Sequence, residues 1–106
     1  SIDEVIEKKL DAMIALESKF IEGGCGGNES MVPRNAAHRK ERVQAVRQRF
    51  ADRFASVADK YREQLIETYG DEKGKKIKYA EAFEITEYGG RASAARIKEL
   101  FPFLPK

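Results

Sequence analysis

An apolar stripe of helical period constrains this chain more than any other feature. Val43, Val46, Phe50, Phe54, Val57, Tyr61 and Leu65 step by 3, 4, 4, 3, 4 and 4 residues, the spacing that lines one face of an α-helix. The stripe predicts a long helix over 36–69. Asn35 stands where an N-cap accepts the first free backbone N–H groups, and Gly70 where a left-handed residue closes a helix. A helix of 34 residues would run about 50 Å, longer than a compact domain of this size is wide. One end is expected to project or to pack on something outside the chain.

A second stripe lies upstream. Ile2, Ile6, Leu10, Met13 and Phe20 recur at helical spacing, widened by Val5 and Leu16, and predict a helix over 1–22. Ser1 and Glu4 have the spacing of a capping box. Two one-sided helices must bury their stripes somewhere, and 106 residues allow only one core. The expected fold is therefore mainly α: an antiparallel helical pair with one long helix, in a single domain or domain fragment spanning 1–106.

Between the helices, residues 23–34 form a Gly-rich loop, with four glycines in the five residues 23 to 27. Continued helix is costly there, and the loop reads as a flexible connector. A phosphate-binding reading fails because no Gly-Lys-Ser/Thr or Gly-x-Gly-x-x-Gly pattern occurs and the glycines follow a helix. Beyond Gly70, residues 71–76 are polar and suit a turn or one short helical turn. Ile77, Tyr79, Phe83 and Ile85 share an alternating face, as in a strand, whereas Ala80 and Glu81 also suit a helix. Within the 71–88 segment, residues 77–85 stay open between the two. Gly89 and Gly90 break it, and Ser93 caps a short helix over 93–101, ended by Pro102. Phe101, Phe103 and Leu104 make an apolar tail.

Composition narrows the function classes. Lys plus Arg number 20 and Asp plus Glu 18, a net charge of +2, so nucleic acid is disfavoured as a partner. No apolar run is long enough to span a bilayer and no secretory leader is evident. No membrane association and a cytoplasmic location are expected. The sole cysteine, Cys25, and sole histidine, His38, supply neither an internal disulfide nor a zinc ligand set. Cys25 has no basic neighbour within five positions to activate it, and His38 reads as a surface residue beside Arg39 and Lys40. From Arg34 to Arg62, nine basic residues face three acidic ones. Arg42, Arg49, Arg53 and Lys60 share one flank of the long helix, suited either to phosphates or, as the favoured reading, to covering the apolar seam with their stems. Glu81, between Ala80 and Ala82 in an apolar segment, is either edge-exposed or held for a reason.

Three stretches together resemble the C-terminal part of the PIG-L/LmbE-like family of metal-dependent sugar N-deacetylases. Lys9 to Phe20 is similar to a family helix ending in a His-x-Ser-Gln-type sequence. Tyr69 to Gly74, leading into Ile77 to Phe83, is similar to a Tyr-Ala-Glu-Ala-Phe stretch, and is the most specific of the three. The closing Leu100-Phe101-Pro102-Phe103 is shared with some longer members. The resemblance covers most of the chain but only the last part of the family domain.

It implies a zinc-dependent hydrolase acting on N-acetylglucosamine-type sugars, with Ser18 and Glu81 at matching substrate-binding positions. The family's His-Pro-Asp-Asp-like metal and base motif does not occur here, and Leu16 and Lys19 stand where the helix motif has histidine and glutamine. No catalytic or metal-ligating residue is assigned, no cofactor is expected in this chain, and zinc is expected in an intact member. The chain begins with Ser1 inside a helical pattern, which also points to a piece of something longer. In the full family domain, the 77–85 segment would be a strand at a sheet edge.

Two functions are thus expected. The chain is the C-terminal part of a deacetylase-like hydrolase, inactive alone and partnered by the remainder of its domain. Alternatively, it is a free-standing helical module for protein interaction or self-association with another copy.

Overall fold

A computed structural model describes residues 1–86, 88–90 and 92–103. The chain is mainly helical, and no strand occurs among the described residues. Its elements are α1 (Ile6–Ala15), α2 (Glu17–Phe20), α3 (Ala36–Lys60), α4 (Arg62–Tyr69), α5 (Asp71–Lys76) and α6 (Ala94–Leu100), with 3-10 turns at Asp3–Val5, Gly24–Gly26 and Glu29–Met31.

The antiparallel pair forms from α1 and α3, with Ile6, Leu10 and Phe54 buried together and Ile2, Met13, Phe50 and Tyr79 around them. Ion pairs set the alignment. Arg47 reaches both Glu7 and Asp11 on successive turns of α1, and Arg39 holds Glu17 of α2 at 2.7 Å. Phe20 packs edge-on against Phe50 with ring centroids 5.1 Å apart. A second small core joins Ala58, Leu65, Ile77 and Ala80. Val46, Phe54 and Leu65 of the predicted stripe are buried, while Val43, Phe50, Val57 and Tyr61 are half-buried at its margins.

Two predicted helices are interrupted. The 1–22 helix breaks at Leu16 (φ −85, ψ 64), and the Ser1–Glu4 box gives way to a 3-10 turn in which Asp3 N–H donates to Ser1 Oγ. The 36–69 helix breaks at Tyr61 (φ −109, ψ 31). There the Arg62 guanidinium turns aside to the carbonyls of Gly74 (2.8 Å) and Ile77 (2.6 Å) and to Asp59 (2.8 Å). The break lets α4 lie against α5, where Gly74 meets the backbone of Ile66 so closely that a Cβ would overlap it.

Asn35 caps α3 as expected, accepting from His38 N–H at 2.9 Å. Gly70 takes positive φ, but with ψ 160 it starts α5 directly instead of forming a left-handed cap. The Gly-rich loop connects α2 to α3 through specific turns. Gly23 has φ 90, a Cβ on Gly27 would strike the Glu22 carbonyl, and Arg42 donates to the Ile21 carbonyl at its base.

Residues 77–80 run without helix or strand as a strap across both helices. From Ala82 the chain leaves the body as an arm carrying α6, whose N-cap is Ser93 as predicted. The radius of gyration, 17.5 Å, exceeds the roughly 13 Å of a compact chain of this length, and the arm is part of the reason.

Candidate functional site

The strap is the most elaborately held irregular segment in the chain. The Asp3 carboxylate accepts the N–H groups of Lys78 (3.1 Å) and Tyr79 (2.6 Å). Ile2 N–H donates to the Tyr79 carbonyl at 3.0 Å, and Ala80 N–H to the Phe54 carbonyl at 3.2 Å. Arg62 takes the Ile77 carbonyl. Ile77 and Ala80 are buried and Tyr79 packs on the first core, whereas Phe83 and Ile85 are exposed, so the alternating face read from Ile77, Tyr79, Phe83 and Ile85 packs only in its first half.

Glu81 closes the strap. Its carboxylate meets the Lys9 ammonium at 2.8 Å, both side chains about one-third exposed, and that ammonium also stands 5.3 Å from the centre of the Phe54 ring. Glu81 is thus neither open at an edge nor fully buried, but held near the surface by one ion pair. A partly exposed pair over an aromatic ring orders both side chains but leaves the Glu81 carboxylate room to accept from a further donor.

Ser18 lies elsewhere. It is exposed on α2, nine residues beyond Lys9 in the chain and past the break at Leu16. No hydrogen bond or ion pair joins it to Glu81 among the described residues. Leu16 is exposed at the break between α1 and α2, and the Lys19 ammonium lies 5.5 Å from the Phe20 ring centre.

The residues present do not fit a zinc site. His38 Nδ1 accepts from the Arg34 backbone N–H at 3.3 Å, which ties the ring to the start of α3. Cys25 is exposed in the glycine turn. Among the described residues no group of three His, Cys, Asp or Glu side chains could hold a metal. A depression between the first turn and α4–α5 is lined by Asp3, Glu4, Tyr69, Lys73 and Lys76, and touches neither Ser18 nor Glu81.

The basic flank is largely spent within the molecule. Arg39, Arg47 and Arg62 pair with carboxylates and Arg42 with a carbonyl, while Arg49 and Lys60 lie over Phe50 and Tyr61. Of the four flank residues, Arg42, Arg49 and Lys60 lie against the molecule, as the seam-covering reading expects, whereas Arg53 is exposed. No helix among the described residues is long and apolar enough to cross a membrane.

Asp3, Lys9 and Arg62 organise the site, and the sequence reading gave none of them a role. An acidic residue at a helix start is normally credited to the helix dipole, which hides a carboxylate turned to a segment 75 residues away. Comparison of the chain with protein-family models, with characterised proteins and with solved structures returned no match.

Proposed function

We propose that this chain is the C-terminal helical part of a zinc-dependent sugar N-deacetylase-like hydrolase of the PIG-L/LmbE type, a part that braces a substrate site supplied by the rest of the polypeptide. The observation that supports this most is the strap. Of the stretch most similar to the family, Tyr69 to Gly74 leading into Ile77 to Phe83, residues 77–80 are held across α1 and α3 and Glu81 is paired with Lys9, while Ala82 and Phe83 begin the exposed arm. A carboxylate oriented this way can accept a sugar hydroxyl, and Ser18, on a separate exposed surface, contributes only if the remainder of the domain spans the two. Among the described residues there is no metal ligand set, and on this reading the chain alone performs no deacetylation.

The test is deacetylation of an N-acetylglucosamine-type substrate by the polypeptide of the full natural reading frame. That polypeptide is expected to release acetate, with Glu81→Gln raising KM more than it lowers kcat, while the 106-residue chain releases none. A full-length product without activity on any N-acetylated amino sugar would contradict the reading.

A second reading, a helical module for protein interaction, is favoured by one observation. Beyond Glu81 the arm carries Phe83 (87% exposed), Tyr88 (94%) and Phe103 (77%). Exposed rings of this size along one segment are a feature of binding surfaces.

A further inference from the structure

We propose that the arm formed by residues 82–103 is a self-complementary docking element that pairs with the same arm of a second copy of this chain. The inference rests on the interaction-module reading and names its partner.

The arm is held only by itself. From Ala82 onward its hydrogen bonds and ion pairs are local: Thr86 with Tyr88, Ser93 with Arg96, Arg96 with Glu99. None reaches the helical body among the described residues. Its apolar side chains are correspondingly uncovered, with Ile85 53%, Leu100 52% and Phe101 46% exposed beside the three rings already named. A ring covers 150–250 Å² on burial, so the set offers roughly 800 Å² per copy, about what each partner contributes to a stable interface.

Charge selects a second copy as the partner. Within the arm, residues 82–90 contain Glu84 and Glu87 and no basic residue, whereas residues 91–100 contain Arg91, Arg96 and Lys98 against Glu99 alone. The arm is acidic in its first half and basic in its second. A two-fold axis places each patch against its own symmetry mate's opposite patch, so two antiparallel arms set acidic half against basic half twice. Like-charge halves would meet in the parallel arrangement, which is disfavoured.

Sedimentation equilibrium of the 106-residue chain from about 1 to about 200 µM tests this. The expected result is a concentration-dependent dimer of twice 12.0 kDa. The combined variant Phe83→Ser, Tyr88→Ser, Phe103→Ser should be monomeric with an unchanged helical circular dichroism signal. Glu84→Lys should weaken dimerisation about tenfold, and Lys98→Glu added to it should restore the affinity. A monomer at every concentration, a dimer that survives the triple variant, or a charge swap without recovery would each overturn the proposal. If the chain is monomeric, proteolysis of the arm in the full natural polypeptide separates the two failures: a protected arm keeps the interaction reading with another partner, and a cleaved arm ends both.

Discussion

The carboxylate of Asp3 accepts the backbone N–H of Tyr79 at 2.6 Å, tying the first turn of the chain to a segment that has neither helical nor sheet bonds of its own. The same carboxylate takes Lys78 N–H. Charge-assisted bonds of this kind are worth about 1.5–3 kcal/mol. Asp3→Ala should lower unfolding stability by about 2 kcal/mol in urea and speed hydrogen exchange at Lys78 and Tyr79 first. Unchanged exchange at those amides would remove Asp3 from the account.

Arg62 is the second anchor. Its planar guanidinium serves the carbonyls of Gly74 and Ile77 and the Asp59 carboxylate together, a fork that a lysine ammonium cannot reproduce. Arg62→Lys is expected to cost about 1–2 kcal/mol and to loosen α5 against α4. Equal stability of the two proteins in thermal melts would show that charge alone suffices.

Gly74 carries a steric prediction. A Cβ there overlaps the Ile66 backbone, which cannot retreat as a side-chain tip can, so Gly74→Ala should destabilise by about 1–3 kcal/mol. Gly90→Ala, with open space around it, should change stability by less than about 0.5 kcal/mol. The pair of variants in one urea series gives its own control.

The Glu17–Arg39 pair predicts a direction with pH. The hydrogen bond from Arg39, and then its charge, hold the Glu17 carboxyl below its ordinary value of 4.5. A carboxyl whose folded pKa is depressed adds stability above its unfolded pKa and loses it as pH falls through the folded one. The urea midpoints of the wild type and Glu17→Gln should therefore differ slightly near neutrality and converge below about pH 4. A gap that widens on acidification would reverse the assignment.

Much of the helical frame was legible because local rules and packing agree there. The stripe through Val46, Phe54 and Leu65 is the buried one, and Asn35 and Ser93 cap α3 and α6. The breaks at Leu16 and Tyr61 were not legible. Neither position carries glycine or proline, and at Tyr61 one non-helical residue interrupts the helix while Tyr61 N–H still donates to the Val57 carbonyl and Leu65 N–H to the Tyr61 carbonyl, with Arg62 beside it bonded to the carbonyls of Gly74 and Ile77. The glycine run was legible as a connector, but not the turn it makes, which uses positive φ at Gly23 and the close approach of Gly27 to Glu22. At the site, the sequence singled out Glu81 as a carboxylate out of place. It could not supply Lys9 as the partner, since that pairing depends on how the strap crosses α1.

Zinc content tests the central claim most directly, measured together with intact mass on the product of the full natural reading frame and, beside it, on the 106-residue chain. The account predicts a larger polypeptide holding about one zinc per chain, and no stoichiometric zinc on the 106-residue chain. A natural product of about this chain's 12.0 kDa, or a larger one that binds no zinc, would contradict the deacetylase-like reading.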